Sequence, residues 1–242
     1  MRYLLTFSYD GSAFFGYQKQ KSKRTVQFEI ETVLSKLFNQ KVLISASGRT
    51  DAKVHANNQK AHFDVNKAFD CLKIKDSLNK MLPEDIYIKS ISKVDISFHA
   101  RYSVLKKEYL YKINVGEYNP FERNYVYQLN KKLDIEKMRL AIKDFIGEND
   151  YKSFSKSDYE EKDTIREIYK ADIICEGSII TIDFIGNGFL RYMVRNMVGY
   201  LIQVGEGAKD CDVSLVLSYK DRTKAGITAP PEGLYLNEVF YN

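Results

Sequence analysis

The order in which apolar periodicity changes along the chain is the tightest constraint on what it can fold into. Residues 2–9 alternate apolar and polar as a half-buried strand does, and Val26, Ile30, Val33, Leu34, Leu37 and Phe38 then recur at helical spacing behind Thr25, a residue suited to capping. A short apolar strand follows at 42–46 and an alternating one through Ala61, Phe63 and Val65. A helix over about 68–82 is stopped by Pro83, and Ile86, Ile88 and Ile91 return as a strand. This order, β-α-β-β-α-β, is the split βαβ unit, in which an antiparallel sheet carries both helices on one face. The second half repeats it: strand 109–115, helix 133–146 ended by Gly147, strands 165–175 and 179–185, a helix and a last strand at 234–241. That helix follows Gly186-Asn187-Gly188 and sets Leu190, Met193, Val194, Met197, Val198, Leu201 and Ile202 on one face. The expectation is an α+β protein of two ferredoxin-like halves, 1–105 and 106–242, joined around a central antiparallel sheet with a shared cleft. Between the second half's elements, 152–161 reads as a polar surface loop.

Composition narrows the function classes. No apolar run approaches the ~20 residues a membrane span needs, and the N-terminus alternates where an export signal would be continuously apolar. The three cysteines, Cys71, Cys175 and Cys211, are far apart and odd in number, which suits a reducing cytoplasm. His55, His62 and His99 do not pair at metal-ligand spacing, so neither a metal nor a cofactor is expected. A net charge of +5 favours polyanionic partners, and 18 Tyr with 14 Phe supply rings able to stack on bases, although such rings equally pack ordinary sheets.

The densest chemical signal is Ser47-Gly48-Arg49-Thr50-Asp51-Ala52-Lys53-Val54-His55-Ala56, a polar insert between two apolar strands. Gly48 permits an unusual backbone angle, Asp51 offers a carboxylate, and Arg49 can hold a phosphate or enter a base stack. By itself the insert reads equally well as a β-turn with a solvated charge pair.

Further stretches match one family in the same order. Tyr9-Asp10-Gly11 followed by Phe14-Phe15-Gly16-Tyr17-Gln18-Lys19-Gln20 resembles the Y-D-G-x-x-F-x-G-W-Q-x-Q signature of TruA-type pseudouridine synthases. The Gly48-Arg49-Thr50-Asp51 segment resembles that family's G-R-T-D-A-G-V-H-A motif. Phe98-His99-Ala100-Arg101-Tyr102 and Tyr109-Leu110-Tyr111 are similar to its F-H-A-R-F and Y-x-Y segments, and Phe189 to Gly199 to its F-L-x-x-M-V-R-N-I-V-G helix. The resemblance extends from Tyr9 to Gly233-Leu234-Tyr235-Leu236. Two of its departures fall in the first two motifs: Lys53 stands where the family has Gly, and Tyr17 where it usually has Trp.

The resemblance implies the pseudouridine synthase fold and isomerisation of uridine within RNA. The bond from ribose C1′ to uracil N1 breaks, the base turns while held, and C5 bonds to C1′. Asp51 is the implied catalytic carboxylate, as nucleophile at C1′ or as base at C2′. Arg49 is its implied wedge in the base stack, Arg195 its cationic partner, and Tyr109 the ring that stacks on uracil with its hydroxyl near the departing C5 proton. From the residues alone, Arg195 is also readable as a helix-surface arginine and Tyr109 as a core tyrosine. Lys19, Lys21, Lys23 and Arg24, together with Lys53, His55 and Arg101 of the matched motifs, are the expected RNA contacts; a basic run is also readable as solvated loop. Family members act as homodimers on the anticodon stem-loop at tRNA positions 38, 39 and 40. Alternatives are a relative acting on another tRNA site or on ribosomal RNA, a non-catalytic RNA-binding protein, and a metal-dependent hydrolase using Asp51 and the histidines.

Overall fold

The computed structural model describes residues 1–156 and 163–241. By contacts the chain forms two units, Met1–Leu105 with Tyr235–Asn242, and Lys106–Leu234. The first contains β1 (Arg2–Tyr9), α1 (Val26–Phe38), β2 (Ile44–Ala46), β3 (His55–Asp64), α2 (Cys71–Met81) and β4 (Ile86–Val94). Its sheet runs β4-β1-β3-β2 with every neighbouring pair antiparallel, the split βαβ order.

Strand alternation puts Tyr3, Leu5 and Phe7 of β1 on one face beside Gln59, Ala61 and Phe63 of β3. Ile30 and Leu34 of α1 and Leu78 of α2 are fully buried, and Phe38 and Phe69 meet Phe63 to close an aromatic core. The opposite face carries Leu4, Thr6, Asn58, Lys60 and His62. Asp70 caps α2 by accepting from the N–H groups of Leu72 and Lys73. Thr25 occupies the cap position of α1 with its backbone alone; its hydroxyl is buried without a hydrogen-bond partner among the described residues.

The second unit contains β5 (Lys106–Asn114), β6 (Tyr127–Gln128), α3 (Ile135–Ala141), β7 (Gly147–Asp150), β8 (Ile165–Glu176), β9 (Ile179–Gly186), α4 (Met193–Gly205) and α5 (Val213–Tyr219). Its sheet runs β5-β9-β8-β7, antiparallel along that path, with β6 parallel to β5. The helix expected at 133–146 is α3 continued by a 3-10 turn, Ile142–Phe145. α4 is buried on nearly every side, with Arg195 and Gln203 the partly exposed exceptions. Of the loop expected at 152–161, residues 157–161 lie outside the described residues; Tyr151–Phe154 forms a 3-10 turn whose Ser153 and Phe154 are fully buried. The last strand, β10 (Leu234–Phe240), groups from Tyr235 onward with the first unit, where it runs parallel to the start of β3.

Candidate functional site

The loop between β2 and β3 carries Asp51, and every segment around it acts as a brace. At its entry Ser47 is fully buried; its hydroxyl donates to Gln59 Oε1 (2.7 Å), and Gln59 Nε2 donates to the Gly48 carbonyl (3.1 Å). The Tyr9 and Thr50 hydroxyls share a 2.7 Å bond in the interior. Burial pushes the Tyr9 phenol up to about 12, against the hydrogen bonds of Thr50 and Gln59, so it stays protonated and available to that bond.

The segment after β1 supports the loop from below. Tyr17 N–H donates to the Thr50 carbonyl (3.1 Å), and Lys53 N–H donates to the Phe14 carbonyl (3.3 Å). Gly16, at φ 91°, lies so close that a Cβ there would stand 3.0 Å from the Thr50 oxygen and 3.3 Å from the Asp51 carbonyl carbon. At Gly11 a Cβ would overlap the Val54 carbonyl outright. The first family motif is therefore a cradle for the second, and its glycines are required by close approach. Within the loop, Val54 N–H donates to the Asp51 carbonyl (3.2 Å), a tight turn that leaves Asp51 half-buried and Arg49, Ala52 and Lys53 exposed.

His55, expected among the RNA contacts, is 2% exposed; its Nδ1 accepts the Gly11 N–H (3.1 Å) and its ring stacks on Tyr235. Its ring therefore lies in the interior of the cradle. Arg24 is likewise engaged in holding the fold. Its guanidinium grips Asp85 with both terminal nitrogens (2.6 and 2.8 Å), reaches Glu29 through Nε and lies over the Phe14 ring. Lys19, Lys21 and Lys23 are exposed, Lys19 near Glu31 (3.7 Å) and Lys23 over the half-exposed ring of Phe15 (4.3 Å). Arg101 is exposed beside Tyr102.

In the second unit, Tyr109 on β5 is 9% exposed and meets the Phe189 ring edge-on at 4.9 Å. Arg195 is held by both ends of one local bond pair. Its Nε donates to the Ala229 carbonyl (2.7 Å), while Ala229 N–H donates to the Arg195 carbonyl (2.9 Å). The guanidinium also lies 5.0 Å over Tyr192, a residue in the left-handed region (φ 65°) that opens α4. Arg191, by contrast, is exposed. An arginine fixed in this way is a pre-set positive charge rather than a solvated surface group.

Three supports had no role assigned from the sequence: Gln59, and Tyr9 and Asn196 within the matched motifs. Asn196 is fully buried and bonds the Phe154 carbonyl through Nδ2 and Arg222 and Thr228 through Oδ1, tying together the segments beside Arg195. The signal for Gln59 was present, since it is a polar residue in register with the inward Ala61 and Phe63, whereas Asn196 lies off the apolar face of its helix pattern. Among the described residues no group of three or more His, Cys, Asp or Glu stands where it could hold a metal, and no described helix is long and apolar enough to cross a membrane.

A family model described as tRNA pseudouridine synthase matches residues 5–103 and 141–242, spans that include Asp51 and Arg195. The tRNA pseudouridine synthase A of Geobacillus sp. (strain WCH70) is 46% identical over 240 residues, covering 98% of this chain and 97% of its own length. Those of Exiguobacterium sp. (strain ATCC BAA-1283 / AT1b) and Pseudothermotoga lettingae are 45% and 46% identical over 241 residues, covering 99% and 98% of this chain and 98% of each relative.

Proposed function

The chain belongs to the tRNA pseudouridine synthase family, an isomerase family, and on that premise we propose that it converts uridine to pseudouridine at positions 38, 39 and 40 of the tRNA anticodon stem-loop. Asp51 is the catalytic carboxylate in this reading. The observation that supports it is the bracing of the Asp51 loop: buried hydroxyls, a buried amide and two close-packed glycines fix the backbone that carries the half-buried Asp51. Rigid presentation is what catalysis requires of such a group, since about 1 Å of misplacement costs about 100-fold in rate.

The remaining residues take roles that their settings permit. Asp51 attacks C1′ or removes the C2′ proton; either route needs the ionised carboxylate. Tyr109 offers a ring for the uracil face and a hydroxyl toward the proton lost from C5, while N1 gains one, so the reaction is redox-neutral. Arg195 supplies fixed positive charge. Arg49, exposed beside Asp51, enters the space the extruded nucleotide leaves, offsetting part of an unstacking cost of a few kcal/mol. Lys19, Lys21, Lys23, Lys53 and Arg101 are the phosphate contacts, and the working form is a cytoplasmic homodimer. The experiment is pseudouridine mapping on unmodified tRNA transcripts incubated with the protein, beside light scattering of the same sample. Modification confined to positions 38–40 by a dimer is expected; modification only outside the anticodon stem-loop overturns the substrate assignment.

A further inference from the structure

The turn after β4 is held far more firmly than a connection between strands requires. Ser97 N–H and hydroxyl both bond Asp95 Oδ1, and Arg2 Nη1 donates to the carbonyls of Ile96 (2.6 Å) and Phe98 (2.8 Å). His99 and Ser103 exchange two hydrogen bonds, and the N–H groups of Arg101 and Tyr102 both point at His99 Nδ1. Ala100, fully buried, donates to His62 Nδ1 (3.1 Å) and accepts from the Tyr241 hydroxyl (2.6 Å). All this order presents one ring to solvent: Tyr102 is 77% exposed. It rests on His99 (4.3 Å between centroids, 32°), which in turn meets His62 edge-on (4.6 Å, 65°), and the exposed Arg101 guanidinium lies 5.9 Å from its centroid.

Building on the reading as an RNA-modifying enzyme, we propose that Tyr102 is a stacking platform for one unpaired base of the RNA substrate, with Arg101 contacting the adjoining phosphate. Rings supported from beneath lose little entropy when a base lies on the open face, which is what a pre-ordered site provides. A base inside a duplex has both faces covered, so the platform selects a nucleotide in a loop or at a bulge. The cation beside the ring suits the phosphate that accompanies every base.

The test uses the full chain and its Tyr102→Ala, Tyr102→Phe and Arg101→Ala variants with two RNA probes: an anticodon stem-loop hairpin and a blunt duplex of the same stem. Thermal melts first show that each variant is folded. Tyr102→Ala is expected to weaken hairpin binding by about 10-fold or more, within the range for base stacking on an aromatic side chain. Tyr102→Phe should bind as wild type, and duplex binding should not change. Arg101→Ala should lower the slope of log K against log salt by about 1. Hairpin affinity unchanged in Tyr102→Ala, equal losses on hairpin and duplex, or a loss in Tyr102→Phe equal to that in Tyr102→Ala would each overturn the platform. So would a change of oligomeric state with RNA affinity intact, which would assign the ring to a subunit contact. Pseudouridine formation by the wild type at any uridine is scored separately, so an error in the substrate position leaves this result interpretable.

Discussion

Lys53 occupies the position at which the resembled family has glycine, and its backbone is in the left-handed region at φ 65°. For an L-residue that conformation costs about 1–2 kcal/mol, and glycine adopts it freely. Glycine in turn leaves the unfolded chain more entropy, which takes back about 0.4–1 kcal/mol. Lys53→Gly should therefore stabilise the protein by roughly 0.5–1 kcal/mol, a rise in Tm of about 1–4 °C for a chain of this size. Both hydrogen bonds of the turn, Lys53 N–H to Phe14 and Val54 N–H to Asp51, involve backbone atoms that glycine retains. Lys53→Ala is the control, because it removes the same charge and keeps the strained angle. Urea melts of the three proteins measure the stability arm, and RNA binding against salt measures the charge arm. If Lys53 contacts phosphate, both variants should lose about 1 from the salt slope, and only Lys53→Gly should gain stability. A Lys53→Gly protein no more stable than Lys53→Ala would refute the strain argument.

Tyr17→Phe should stabilise by about 1 kcal/mol in urea melts, since the Tyr17 hydroxyl is buried with no hydrogen-bond partner among the described residues; a destabilised variant would show that the hydroxyl has one. Burial, with the positive fields of Arg2 and His99 and against that of Asp64, lowers the His62 pKa from 6.5 to about 4. The unfolded chain then takes up the proton first, so this stability is complete above about pH 6.5 and is lost as pH falls toward 4, at up to about 1.4 kcal/mol per pH unit. Urea melts of wild type and His62→Asn at pH 7 and pH 5 should differ by more at pH 7, and parallel behaviour would contradict it. Arg195→Ala should lower kcat at least 100-fold, the scale for a lost charge-stabilising donor, while Arg191→Ala changes it less than a few-fold; equal small effects would return Arg195 to the helix surface.

The element order of the first unit and the placement of the Asp51 loop between two strands were legible because alternating and helical periods are local properties of the chain, whereas the short β6, β7 and α5 of the second unit were not read. What the periodicity hid was the role of the residues between elements. The stretch from Asp10 to Gly16 lies between a strand and a helix in the periodic pattern, and only the approach of Gly11 to Val54 and of Gly16 to Thr50 shows it to be the support of the Asp51 loop. His55 looked like part of the polar insert, yet it opens β3 facing inward, because the strand starts earlier than its apolar residues suggest. The early passage of α3 into a 3-10 turn at Ile142 has no proline or glycine to mark it. Grouping of the last strand with the first unit is a pairing of Tyr235 with His55, distant in sequence and invisible to any local pattern.

The role of Asp51 is tested most directly by tritium release from uracil C5 in labelled tRNA, comparing wild type with Asp51→Asn. The substitution keeps the shape of the side chain and removes its charge and nucleophilicity, so release should fall to background while circular dichroism stays native and filter binding stays equal or tightens slightly. Near-normal release by the folded Asp51→Asn protein would show that another group does the chemistry.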